Sequence, residues 1–199
     1  MTQPARQWRA TRTVCAIIIG AAHGAGLQFA HYLAARGVRL LLVDCDEIAL
    51  ARVRQDTGAA IVQCEVLDER CLTEMFDTAE AMFGHVDLLI NAAGTGYVRT
   101  LGVMRASREF ARRPRRGKAF IVNIASSPDA GDGPFEYAGS EVAFSRLAEG
   151  LARAIENSEL KVLTLSRVTS AVEAADLSDG LLREVAGDPA DNGDAAPAA

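Results

Sequence analysis

Long apolar runs are missing from this chain. No stretch approaches the ~20 residues that a membrane span requires, which argues against a membrane partner. The opening MTQPARQWRATR (1–12) has no apolar middle, so it reads as a flexible tail and not as a secretory signal. Cysteine is scarce and unclustered. Cys15, Cys45, Cys64 and Cys71 form no CxxC pair, and three histidines are too few to complete a zinc site, so no metal is expected. Four reduced thiols fit a cytoplasmic protein. Positive charge is in deficit: the net charge of −5 argues against nucleic acid as the main partner. Internal repeats and interdomain linkers are absent too. The terminal GDPADNGDAAPAA (187–199) is small, acidic and proline-broken, and reads as disordered. One domain over 13–186 remains.

Within that domain, short apolar runs alternate with longer amphipathic stretches. VCAIIIG (14–20), VRLLLVD (38–44), AAIVQCE (59–65), VDLLINAAG (86–94), KAFIVNIASS (118–127) and LKVLTLS (160–166) read as strands. Helices are expected over 26–37, 46–56, 68–84, about 98–112, and 137–156. Asp68 opens the third, and Leu72, Met75, Phe76, Ala79 and Phe83 share its apolar side. Continuous apolar strands separated by helices imply a parallel sheet covered on both faces. Right-handed crossovers make that an α/β doubly wound domain of the Rossmann type, with about six strands.

The first strand ends in GAAHGAG (20–26), a G-x-x-x-G-x-G turn that opens a helix. Such a turn lets backbone N–H groups at Gly20, Ala22, Gly24, Ala25 and Gly26 approach a pyrophosphate at the positive end of the helix. Asp44 ends the second strand, eighteen residues after Gly26. A carboxylate there accepts both hydroxyls of an adenosine ribose and repels a 2′-phosphate, which predicts NAD(H) over NADP(H). His23 either touches the adenosine side or is a solvated loop histidine. Glu65 and Val66 end the third strand, on the edge where an adenine would lie.

These residues bring a family into view. GAAHGAG, Asp44, the NAAG of 91–94, the IVNIAS of 121–126 and Tyr137 follow one another as in the short-chain dehydrogenases/reductases, which the chain resembles from about Val14 to Ser166. The resemblance implies that Asn91, Ala92 and Gly94 stand beside the cofactor. It implies that Ser126 holds a substrate carbonyl, and that Tyr137 exchanges a proton with the substrate oxygen while hydride moves to or from nicotinamide. It also implies a homodimer or homotetramer through the helix at 137–156. Several positions depart from the family. Ile19 precedes the loop where the family has threonine. The segment 94–121 is short and offers no catalytic asparagine. SRVTSAVEAADLSDGLLREVAG (166–187) has no Pro-Gly and reads as too short for a substrate-covering segment. The family lysine, four residues after the tyrosine, is Glu141, and the chain's two lysines, Lys118 and Lys161, are elsewhere.

The glutamate bears on the chemistry. A free tyrosine has a pKa of about 10, and abstracting an alcohol proton at neutral pH needs it near ~7. Three units are about 4 kcal/mol, or roughly a thousandfold in usable base. An ammonium lowers the value; a carboxylate one turn away raises it. Glu141 can still accept ribose hydroxyls. Two functions follow: an NAD(H)-dependent oxidoreductase of weak activity on a small carbonyl or alcohol, with Ser126, Tyr137 and Glu141 at its catalytic centre, or a dinucleotide-binding sensor or partner protein without turnover. The basic run RASREFARRPRRGK (105–118) reads as a helix end and a solvated turn, with a phosphate-rich or acidic partner as the other reading.

Overall fold

The fold comes from a computed structural model that describes residues 12–92, 97–124, 134–155, 159–165, 168 and 170–187, with the side chains of 97–99, 134–141 and 143 outside that description. Six strands, β1 (Cys15–Ile19), β2 (Arg39–Asp44), β3 (Ala60–Gln63), β4 (Leu88–Asn91), β5 (Ala119–Ile124) and β6 (Leu160–Leu165), alternate with six helices, α1 (Gly24–Ala35), α2 (Glu47–Thr57), α3 (Glu69–Phe83), α4 (Tyr97–Arg112), α5 (Pro134–Ile155) and α6 (Ala171–Ala186). The strands form one sheet in the order β3-β2-β1-β4-β5-β6, all parallel. The chain is therefore a single Rossmann-type α/β domain. The strand order reverses between β1 and β4, and such a switch point leaves a crevice beyond the carboxyl ends of the strands.

Successive side chains of a strand point to opposite faces. Ala16, Ile18, Leu40, Leu42, Leu88, Ile90, Phe120 and Val122 pack on one face against Phe29 and Leu33 of α1, Leu50 of α2 and Leu181 and Leu182 of α6. Ile17, Ile19, Leu41, Val43, Leu89 and Ile121 pack on the other against Met75 and Phe76 of α3 and Phe110 of α4. Both faces are apolar because both are covered. Arg113, just past α4, joins this second layer from above. Its guanidinium reaches Asp77 and Glu80 of α3 and Glu109 of α4, and lies over the Phe76 ring. Arg105 reaches Glu69 and Lys118 reaches Glu184, so part of the basic run is spent on ion pairs within the fold.

Two helix starts and one whole element differ from the sequence reading. Helix α1 begins at Gly24, so the last loop glycines form its first turn. Helix α5 begins at Pro134, ahead of Tyr137; a proline at the first helical position loses no hydrogen bond and arrives with its φ preset. Helix α6 is an element to which the sequence analysis assigned nothing. Ser170 caps it, accepting from the Glu173 N–H at 3.1 Å, while the Glu173 carboxylate accepts from the Ser170 N–H at 3.3 Å. Ala174, Ser178, Leu181, Leu182 and Val185 lie on one buried face, and an Arg36–Asp179 ion pair at 3.2 Å ties the helix to α1.

Arg12, which the sequence reading puts in a tail, is anchored. It donates to the Asp87 carboxylate at 2.7 Å and to the carbonyl of Val185. Asp87 accepts from the Cys15 N–H at 2.9 Å, and His85 lies 3.3 Å from the same carboxylate. One ligand atom each from Cys15, His85 and Asp87 falls within 4.8 Å of the others. Both Asp87 oxygens are already engaged, the Arg12 cation sits against them, and burial together with the Asp87 charge pushes the Cys15 thiol up to about 11. Protonated thiols are poor ligands. These residues close the amino-terminal edge of the sheet, at the opposite end from the crevice.

Candidate functional site

The turn after β1 is tied to β2. The N–H groups of Gly20 and Ala21 both donate to the carbonyl of Val43, at 2.8 and 3.1 Å. The turn then folds back over itself. A Cβ on Gly26 would lie 2.0 Å from the carbonyl oxygen of Gly20 and 3.1 Å from the Cβ of Ala92, so only glycine lets the first turn of α1 sit against the ends of β1 and β4. His23 is the extended residue preceding α1 and makes no side-chain cap; no acidic residue stands in the first turn. The Leu27 N–H returns to the His23 carbonyl, whereas the first N–H groups of α1, from Gly24 to Gly26, precede that bond. Uncapped N–H groups at the positive end of a helix favour an anion.

Asp44 ends β2 beside this turn. Its Oδ2 accepts from the Ala22 N–H at 3.0 Å and its Oδ1 from the Asp46 N–H at 3.1 Å. The carboxylate therefore holds the glycine turn in place, and each oxygen keeps a lone pair for a further donor. Asp46 caps α2 through the Ala49 N–H at 2.9 Å and meets Nε2 of the exposed His23 at 3.1 Å. The Ala49 bond, then His23, hold the Asp46 carboxyl below its ordinary range. Burial, followed by the charges of Asp44 and Glu65, pushes the Cys45 thiol up. The edge formed by β2 and β3 is thus electronegative.

The remaining expected residues fall in different places. Glu65 is exposed on this edge. Val66 is buried under α4, where a Cβ on Gly102 would lie 2.4 Å from its Cγ2. Ala92 closes the crevice floor, its N–H bonded to the Ile19 carbonyl at 2.8 Å. Asn91 is wholly buried; its Nδ2 donates to Asn123 Oδ1 at 2.8 Å and to Ser107 Oγ at 3.1 Å, bridging β4, β5 and α4 beneath the crevice. Ser107 and Asn123 are members of this network that the sequence reading missed. Ser107 sits on the apolar side of α4 beside Ala106 and Phe110, and that was the available signal. Gly94 and Ser126 lie outside the described residues. Positions 137 and 141 are one turn apart within α5, with their side chains outside the description.

A sequence profile of the family described as short chain dehydrogenase matches residues 14–173. The chain belongs to the short-chain dehydrogenase family. Among its relatives in this oxidoreductase family is galactitol 2-dehydrogenase (L-tagatose-forming) of Cereibacter sphaeroides, 32% identical over 162 residues, which cover 71% of this chain and 63% of that enzyme. The short-chain reductase protein NovJ of Streptomyces niveus is 28% identical over 197 residues, 87% of this chain and 74% of that one. Human 15-hydroxyprostaglandin dehydrogenase [NAD(+)] is 33% identical over 86 residues, 40% of this chain and 32% of that enzyme. The chain thus spans less than two thirds of the galactitol dehydrogenase and about a third of the human enzyme. A metagenomic short-chain oxidoreductase in complex with NADP superimposes with a TM-score of 0.72 at 19% identity, covering 87% of this chain and 92% of that one. A hydroxysteroid dehydrogenase from Escherichia coli gives 0.68 at 20%, covering 89% and 91%. At those identities the solved structures speak to the fold.

Proposed function

We propose that the chain binds NAD(H) across the switch point between β1 and β4 and works as a weak oxidoreductase on a small carbonyl or alcohol. The supporting observation is the joint geometry of the glycine turn and Asp44. The bare first turn of α1 fits a pyrophosphate, the missing Cβ at Gly26 allows close backbone approach, and Asp44 has an acceptor site left on each oxygen. The relatives are divided on the cofactor, since one is named for NAD(+) and one neighbour holds NADP. The electronegative edge of Asp44, Asp46 and Glu65 favours NAD(H), because a 2′-phosphate would enter the field of these carboxylates.

When bound, nicotinamide would supply hydride transfer. Ser126 would hold the substrate oxygen and Tyr137 would carry its proton. With Glu141 one turn along α5 in place of a cation, Tyr137 stays a protonated phenol. Donating a proton in carbonyl reduction remains open to it; abstracting one in alcohol oxidation is suppressed. The same position favours a second reading, a dinucleotide-binding sensor or partner protein without turnover.

Titration with NAD⁺ and NADH, followed by a carbonyl and alcohol panel read at the NADH absorbance, separates the two. Turnover selects the oxidoreductase; saturable binding without turnover selects the sensor; no binding overturns both. Glu141→Lys should raise the oxidation rate more than the reduction rate, and move the rising, acid-side limb of the oxidation pH–rate profile down toward neutrality. A gain that persists when Tyr137→Phe is added would show that Tyr137 is not the proton carrier.

A further inference from the structure

Two cysteines share one packed cluster at the electronegative edge. Cys64 follows β3 directly, is buried, and donates its backbone N–H to the Asp44 carbonyl at 3.0 Å. Cys71 lies in the first turn of α3, partly exposed, with its Sγ 3.8 Å from the Gln63 carbonyl and its N–H on the capping carboxylate of Asp68. Cys64 and Cys71 belong to one packed cluster. Burial first, and then the Cys71 sulfur as acceptor for its proton, hold the Cys64 thiol protonated. The segment between them, Glu65 to Arg70, contains the cap of α3 and Val66, which sits under Gly102.

We propose that Cys64 and Cys71 are a redox pair that closes to an intramolecular disulfide, and that the oxidised form binds the dinucleotide more weakly. The oxidant is a low-molecular-weight disulfide. The partly exposed Cys71 sulfur loses its proton and attacks one sulfur of the reagent, and the other leaves and takes up a proton as the first small thiol. Cys64 then loses its proton and attacks Cys71, expelling the second small thiol. Two protein thiols are oxidised and one reagent disulfide is reduced. Closure brings the sulfurs to ~2.05 Å and draws the first turn of α3 toward the end of β3. That movement displaces Glu65 and Val66 and pulls on the Asp44 carbonyl through the Cys64 N–H. Binding linkage is reciprocal, so a bound dinucleotide would also slow closure. The coupling half of this inference rests on the dinucleotide reading above; the disulfide half does not.

The test uses the full chain and hydroxyethyl disulfide, a neutral probe that the surrounding carboxylates do not repel. Titratable thiols should fall from the four in the sequence to two, with peptide mapping linking Cys64 to Cys71. Mixed disulfides at Cys45 or Cys71 without that link would overturn the pair. NAD⁺ titration of the reduced and oxidised forms should then give a several-fold higher Kd after oxidation, a difference that Cys71→Ser removes. Equal affinity in linked and reduced protein would overturn the coupling. If the reduced protein binds no dinucleotide, the proposed function fails, while the peptide map still decides the pair.

Discussion

At the scale of single residues, the crevice depends on atoms that are missing as much as on those present. Gly26 contributes a bare backbone where a methyl would meet the Gly20 carbonyl at 2.0 Å. That neighbour is backbone and has no rotamer with which to yield. Gly26→Ala should destabilise the fold by about 1–3 kcal/mol, the usual penalty for overpacking, and abolish dinucleotide binding because the turn must open. A urea midpoint and an NADH fluorescence titration check the two halves; binding retained at wild-type affinity would mean that the turn is not the site. Cys15 carries a pH dependence. Its folded pKa of about 11 lies above the ordinary 9.0, through burial and then the Asp87 charge. The folded state therefore holds this proton more tightly than the unfolded state. The contribution is complete below pH 9.0 and is lost as pH rises through about 11. Two units set a ceiling of roughly 2–3 kcal/mol. Cys64, also raised, acts in the same sense, so Cys15→Ala should flatten the alkaline decline in stability without removing it. An unchanged slope would contradict the burial argument.

At the scale of elements, the six strands were legible because burial on both faces leaves an unmistakable run of Val, Ile and Leu. Helix α3 was legible from its Asp68 cap and clean apolar stripe. Helix α6 was not recognised, although its signals were there: Ser170-x-x-Glu173 is a capping box, and Ala174, Ser178, Leu181, Leu182 and Val185 repeat with helical period. Small and hydroxyl residues dilute that stripe, and Gly180 interrupts it. Within the site, the glycine turn and Asp44 could be found from local sequence. The second role of Asp44, as acceptor for the Ala22 N–H, could not, because that bond spans two elements. The Asn91–Ser107–Asn123 network was hidden for the same reason. For α6 the consequence is measurable. Ser170→Ala should lower stability by about 1 kcal/mol, the usual value of a lost cap, and leave NAD⁺ affinity unchanged. A loss of affinity would mean that α6 supports the crevice as well as the core.

At the scale of the whole molecule, charge is distributed by edge. Asp44, Asp46 and Glu65 gather at the carboxyl ends of the strands beside the crevice, whereas Arg12 stands at the amino ends with the buried Asp87. No described helix is long and apolar enough to cross a membrane. The preference ratio between NAD⁺ and NADP⁺, measured by calorimetry on the intact chain and on Asp44→Ala, tests most directly what the crevice accepts. Because Asp44 also holds the glycine turn, the substitution should weaken both dinucleotides, and the ratio isolates the ribose. The 2′-phosphate removes one hydroxyl bond to the carboxylate, worth about 1.5–3 kcal/mol, which predicts at least a tenfold preference for NAD⁺ in the intact chain. In Asp44→Ala that preference should largely vanish. A tighter fit for NADP⁺ in the intact chain, or a ratio that Asp44→Ala leaves untouched, would contradict the assignment of Asp44 to the ribose and with it the reading of the crevice.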